Sequence, residues 1–371
     1  MTTFSRAQAS PAARTLEARC YCDPDVYALE SERVFARSWT VAGRSDELEG
    51  AGAFKTVEVV GESVIVVRGD DGALRAFFNV CRHRGTRICT EIAGRFGGSI
   101  QCPYHAWTYG LDGTLVAARY MDDTPDFDAR EYPLRAIRVA EWEGFVFINL
   151  SPKAFAFEDT FEALTGRFTR WHLPSLRIAR SFEYDVAANW KLLFQNYSEC
   201  YHCAVIHPQL EKLSPWDSGR NDLSEGPALG GYSALRDGAA RIANGTSHAF
   251  APLGDVDGDD LRRAYYYTIF PTLLLSLQAE YVMVHIIRPV AVDRTRVTCQ
   301  LLFAPTEMAR ADFDPSSVAA FWDTTNRQDW HVSELSQLGI ASRAYRPGPY
   351  ARSEGLLDAF DRHYLTTMSA G

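Results

Sequence analysis

A long uninterrupted apolar stretch is the first thing this sequence lacks. Residues 1–20 hold Ser, Ala and three Arg without a continuous apolar stretch, and apolar runs elsewhere are broken by charges. A soluble, cytoplasmic protein with no membrane partner is expected. Positive charge is also short: 38 Lys plus Arg stand against 47 Asp plus Glu, a net charge of −9. No broad basic face is left for phosphates, so nucleic acid is not an expected partner. Cysteine is sparse, with eight in 371 residues, far below the density of a disulfide scaffold. In a reducing compartment, clustered cysteines read first as metal ligands. There is no internal repeat. No Gly-x-Gly-x-x-Gly joins a strand to a helix, so nicotinamide chemistry must belong to another protein.

What is present is enough apolar material for real cores: 46% hydrophobic and 12% aromatic residues. The length exceeds the roughly 250–300 residues at which one core stops growing, so two domains are expected. A short helical pattern covers residues 24–39. Short β-branched runs cut by glycines then follow to about residue 150, which predicts an all-β domain. Beyond it, helices over 187–202 and 314–339 bracket strands at 265–269, 273–277, 282–289 and 296–303, which predicts an α+β domain. Residues 217–262 are rich in Gly, Asp, Ser and Ala and read as a long loop or lid. The expected segments are 1–38, a helical lead that packs on the second domain, then 39–152 and 153–371.

Within the β-rich part, Cys81-Arg-His83 is separated by eighteen residues from Cys102-Pro-Tyr-His105, with glycines at 85, 97, 98 and 110. Each loop offers one thiolate and one imidazole, as a Rieske [2Fe–2S] cluster needs, with Cys on one iron and His on the other. Tetrahedral zinc accepts the same four side chains, but its usual pairs are Cys with Cys and His with His. Cys89 fits neither pair and reads as a small buried hydrophobe.

The second constellation is Glu199-Cys-Tyr-His202 followed by His207-Pro208. Two His and one carboxylate on one face are a common holder for iron that must meet O₂. His202 and His207 are five apart, so they converge only if the helix ends between them, and Pro208 biases His207 out of the helical region. Asp323, Asp329 and Glu334 offer a distant carboxylate. His172 and His331 have no partner motif.

Cys81-Arg-His-Arg-Gly85, Cys102-Pro-Tyr-His-Ala-Trp107 and the segment Asn196 to His207 resemble the Rieske non-haem iron ring-hydroxylating oxygenases, catalytic α subunit. Ala106 stands where many members have Gly. The resemblance covers essentially the whole chain. It implies an all-β Rieske domain plus an α+β catalytic domain with an antiparallel sheet flanked by helices. It also implies a cluster on Cys81, His83, Cys102 and His105, and a mononuclear Fe(II) on His202, His207 and Asp329. Asp329 is chosen over Asp323 because the family's ligand is typically followed by Glu at five and Gln at eight residues, matched here by Glu334 and Gln337. Glu199 takes the place of the family's bridging Asp, which carries electrons between subunits of a homotrimer. The partner implied is an NAD(P)H-dependent flavin/iron–sulfur reductase, acting directly or through a ferredoxin.

The branch that looks most similar contains glycine betaine, choline, carnitine and proline betaine oxygenases. Oxidation of an N-methylated quaternary ammonium compound is therefore expected, with mono- or dioxygenation of an aromatic carboxylate as the alternative. Tyr265, Tyr266, Tyr267, Phe270, Tyr281, Trp216 and Tyr232 are candidates for a cation–π cage. Two rivals from other classes are a Rieske electron carrier without catalysis and a zinc-bound interaction protein.

Overall fold

A computed structural model describes residues 4–238 and 250–370. The chain divides into two compact units, residues 35–155 and residues 1–34 with 156–371. No helix among the described residues is long and apolar enough to cross a membrane.

The 35–155 unit is built from β1 (Thr40–Arg44), β2 (Ala53–Val59), β3 (Glu62–Arg68), β4 (Leu74–Phe78), β5 (Ala93–Arg95), β6 (Ser99–Gln101), β7 (Thr108–Gly110), β8 (Leu115–Ala117), β9 (Ala136–Trp142) and β10 (Phe145–Asn149). Seven strands form one sheet in the order β1-β10-β9-β4-β3-β2-β5, and β6-β7-β8 form a second. β3 is the centre. Its Val64, Ile65, Val66 and Val67 are all fully buried, which is why this stretch is a continuous β-branched run instead of an alternating one. Val60 and Gly61 join β2 to β3 with φ of 44° and 91°. Two positive φ values make the two-residue turn whose twist suits a hairpin.

The other unit carries a seven-stranded antiparallel sheet from β11 (Arg177–Val186), β12 (Arg220–Leu223), β13 (Ala228–Ala234), β14 (Arg263–Ile269), β15 (Leu273–Leu277), β16 (Val282–Ala291) and β17 (Arg294–Phe303), in the order β11-β17-β16-β15-β14-β13-β12. Two of these strands, β12 and β13, lie inside the stretch expected to be one long loop. Within it, the glycine pair Gly230-Gly231 lets neighbouring backbone approach. A Cβ on Gly230 would stand 2.2 Å from the Tyr266 carbonyl oxygen, and one on Gly231 2.0 Å from that of Arg220. Residues 239–249 of that stretch lie outside the described residues.

Two helices position the chemistry. Trp190–Tyr197 starts where Asn189 caps Lys191 N at 3.1 Å. It ends five residues short of the expected His202, because Ser198 to His202 turn around the Glu199 carboxylate. The second helix, Ser316–Ile340, is 25 residues long. A further helix, Gly355–Ser369, follows what had read as the final one. Lys191 is wholly buried against Glu30, which also accepts from Trp190 Nε1 at 2.9 Å and Tyr364 Oη at 2.6 Å. Each polar atom in this knot has a partner. Removing one side would leave a buried charge, at a cost of about 3–5 kcal/mol, so the knot fixes the Trp190 helix against the segments before and after it.

Candidate active site

In the 35–155 unit, two loops of the same design face each other. Cys81 N donates to Thr86 O and Gly85 N to Cys81 O; Cys102 N donates to Trp107 O and Ala106 N to Cys102 O. The thiols of Cys81 and Cys102 are buried, with Cys81 Sγ 3.3 Å from Tyr109 Oη, while His83 is exposed and His105 half-buried. The two imidazoles lie 4.8 Å apart by ring centroid, and His83 stacks flat on Trp107 at the same distance. Burial pushes the Cys102 thiol up, and burial together with His105 holds His83 below its usual value. Each loop pairs one cysteine with one histidine, whereas zinc usually takes Cys with Cys and His with His. Sulfurs inside and imidazoles outside fit a two-iron cluster instead.

The loops differ at one residue. Gly85 and Ala106 occupy the same place, four after the cysteine, and both are left-handed, at φ 76° and 57°. The difference between them is one of backbone strain. For Ala that conformation costs roughly 1–2 kcal/mol, partly offset by the chain entropy that Gly would lose on folding. Ala106→Gly should stabilise the loop by about 0.5–1 kcal/mol and raise the temperature at which the cluster's colour bleaches by about 1–4 °C. A lower bleaching temperature would show that the Ala methyl is worth more than the strain.

The second site lies in the other unit. His202 Nε2 and His207 Nε2 reach the same oxygen of Asp329, at 3.3 and 2.8 Å, and the two rings are 5.1 Å apart. His207 sits at φ −119°, ψ 66°, outside the helical region, and Pro208 opens the helix Pro208–Leu213 after it. The end of the short helix Cys203–Ile206 just before His207 is what lets them converge. Gln328 Oε1 lies 2.8 Å from His207 Nδ1, and Glu199 Oε1 lies 2.5 Å from His202 Nδ1, so each outer nitrogen has a partner that fixes the ring. Glu199 Oε2 also accepts from the backbone N–H of Tyr201 and of His202. Burial alone would lower His202, but Asp329 and Glu199 outweigh it and raise the ring to about 10. Asp329 is half-buried, yet its two imidazole partners hold it below the ordinary carboxylate value. Two neutralisable imidazoles and one ionised carboxylate on one side, with a cavity on the other, suit an iron with open positions.

Asp329 is brought there by the residues whose spacing marked it. Glu334 Oε1 accepts from Ala187 N at 3.0 Å and Gln337 Oε1 from Asn189 N at 2.9 Å, which pins the long helix to the start of the Trp190 helix. Asp323 is engaged elsewhere, by Tyr184 Oη at 2.8 Å and Arg327 Nε at 2.9 Å. His172 pairs with Asp255 at 2.9 Å. Cys200 and Cys203, which flank Tyr201 and His202, are joined to each other by a disulfide.

A cavity of about 160 Å³ opens beside His202, His207 and Asp329. Its aromatic walls are Tyr197, Trp216, Tyr232, Tyr266, Trp322 and Trp330. Of the seven aromatics expected to form a cage, only Trp216, Tyr232 and Tyr266 line it. β14 alternates, so Tyr265 and Tyr267 face away and bond Asp260 and Asp222. Tyr281 accepts from Trp322 Nε1 at 2.8 Å, and Phe270 packs against Trp190, Phe360 and His363. Trp322 and Trp330 were missed. They share a stripe with Thr325, Asn326 and Asp329 at spacings of three and four, a helical signal that was present in the sequence.

Residues 173–370 match the family model of the ring hydroxylating alpha subunit (catalytic domain), and residues 38–133 match the Rieske [2Fe-2S] domain. The chain belongs to the ring-hydroxylating oxygenase α-subunit family. The glycine betaine monooxygenase oxygenase subunit of Chromohalobacter salexigens is 31% identical over 387 residues, covering 94% of this chain and 85% of the relative. The carnitine monooxygenase oxygenase subunit of Escherichia coli K12 is 32% identical over 337 residues, covering 90% and 86%. A crystal structure of the quaternary ammonium Rieske monooxygenase CntA in complex with L-carnitine superposes with a TM-score of 0.78 at 26% identity, covering 96% of each chain. This Rieske oxygenase is thus an oxidoreductase that uses O₂, with a [2Fe–2S] cluster in its Rieske domain and a mononuclear iron in its catalytic domain. The non-catalytic carrier and the zinc-bound protein fall away.

Proposed function

We propose that this Rieske oxygenase hydroxylates an N-methyl carbon of a small quaternary ammonium carboxylate, with loss of formaldehyde. The observation that carries the reading is the aromatic wall beside the three clustered ligands. Ring faces hold an alkylated ammonium through their negative quadrupole without a competing hydrogen bond, at roughly 0.5–2 kcal/mol each. The relatives named for glycine betaine and carnitine, matched along most of their length, point the same way.

In this reading Cys81, His83, Cys102 and His105 hold the cluster, His202, His207 and Asp329 hold the lone iron, and Glu199 serves as the bridge between protomers of a homotrimer. The cluster supplies single electrons and the lone iron supplies O₂ activation. Tyr197 is fixed for its part in the wall, its hydroxyl 2.5 Å from Ser276 Oγ. The balance is one N-methyl group, one O₂, two electrons and two protons to one N-hydroxymethyl group and one water; the N-hydroxymethyl group then breaks its C–N bond to give formaldehyde and the amine. Because no dinucleotide motif is present, electrons come from an NAD(P)H reductase, and the setting is cytoplasmic.

The test uses the holoenzyme with a surrogate reductase, measuring NADH and O₂ consumption against product for N-methylated amino acids and aromatic carboxylates. Formaldehyde in one-to-one yield from a betaine is expected. A hydroxylated arene with no formaldehyde from any N-methyl compound would transfer the enzyme to the aromatic acids.

A further inference from the structure

We infer that Arg6, on the N-terminal segment, is the carboxylate anchor of the substrate cavity and makes the enzyme select zwitterions over simple quaternary ammonium cations. The proposal rests on the N-methyl reading above and adds to it the other end of the substrate.

The N-terminal segment is fastened across the cavity. Ser5 and Asn221 exchange backbone hydrogen bonds of 2.9 and 2.6 Å, and Ala7 N donates to Asn221 Oδ1 at 2.9 Å. Phe4 packs edge-on to Tyr232 at 4.9 Å, and Ser10 bonds Asp358 through both its N–H and its hydroxyl. Gly355 lets the segment lie close, since a Cβ there would stand 2.4 Å from Ala7 and Gln8 backbone. Arg6 therefore sits between two fixed neighbours and lines the cavity, half-buried, with its guanidinium 5.8 Å from the Trp216 ring centre.

Its charge is the informative part. Among the described residues, Arg6 is the one Lys or Arg that lines the cavity. Several other arginines of this unit face carboxylates (Arg167 meets Asp222, Arg170 meets Asp260, Arg294 meets Asp185 and Arg310 meets Asp312), while Arg14, Arg220 and Arg346 donate to backbone carbonyls. Among the described residues Arg6 has no such partner. The two acids that line the cavity, Glu199 and Asp329, are taken by the histidines. A guanidinium presents a rigid fork of donors that matches a carboxylate, and stacking on Trp216 holds the fork without consuming it. A cavity meant for a bare cation would not keep an uncompensated positive charge on its wall. One meant for a betaine would, with the ammonium against the rings and the carboxylate on Arg6.

Steady-state kinetics of wild type, Arg6→Gln and Arg6→Lys with glycine betaine, carnitine and choline test this. Arg6→Gln should raise KM for the two carboxylates about 10–100-fold, as loss of a charge-assisted hydrogen bond predicts, and leave kcat within about twofold. Arg6→Lys should recover part of the loss. Choline, which has no carboxylate, should not be weakened, and its turnover also reports that the variant is folded. Equal changes for choline and the betaines, or no change for either, would overturn the assignment. If wild type produces no formaldehyde from any N-methyl compound, the N-methyl reading fails by itself. Arg6 is then scored on an oxidised aromatic acid against its amide, where an unchanged preference for the acid in Arg6→Gln overturns it.

Discussion

Asp329→Asn should strip the lone iron from the catalytic domain while leaving the cluster's brown colour and its EPR signal intact. Asn has the same shape, so the buried site stays filled, but the charge that balances the metal is gone. Loss of an outer partner of a metal ligand already costs roughly 10–100-fold, and loss of a ligand should cost more: about a thousandfold in product formation, or about 4 kcal/mol on the barrier. Iron analysis should fall by the one ion, with acid-labile sulfide unchanged. The parallel change Asp323→Asn meets only Tyr184 and Arg327 and should keep the iron and most of the activity. If Asp323→Asn lost the metal and Asp329→Asn kept it, the ligand set would be wrong, despite the 2.8 Å approach of Asp329 to His207.

How much of this was legible beforehand follows from how local each feature is. The two Cys/His loops could be read because each is a short closed turn that carries one cysteine and one histidine within four residues. Asp329 could be picked because Glu334 and Gln337 tie its helix to the chain just before Trp190, and that tie leaves a spacing in the sequence. The cavity wall could not be read in full. Whether Tyr265 or Tyr266 faces the substrate depends on which face of β14 meets the long helix, and a strand carries that parity only once its neighbours are placed. Arg6 was invisible for another reason, since its segment reaches the cavity by pairing with Asn221, over 200 residues away along the chain. Ala106 showed the right substitution without its cause, because a left-handed φ is a property of the folded loop. The Trp190 helix was read too long, since Glu199 is a good helix former until its carboxylate turns back onto the backbone N–H of Tyr201 and His202.

Glu199→Ala should separate metal binding from turnover. Glu199 touches His202 at the nitrogen facing away from Asp329, so its removal frees the ring's orientation without removing a ligand. Iron affinity should drop, but at saturating iron both centres should be filled. Under those conditions product formation should still be about 10–100-fold below wild type, the range for loss of an outer-shell partner. The distinguishing measurement is on the cluster: its reduction by the reductase should proceed at the normal rate, while its reoxidation on adding substrate and O₂ should be slow. A ring merely loosened would instead show normal cluster reoxidation with poor yield, and that outcome would remove Glu199 from the electron path. Glu199→Asp should lie between the two, because the shorter side chain keeps the charge but must choose between the imidazole and the two backbone N–H groups that the glutamate serves together.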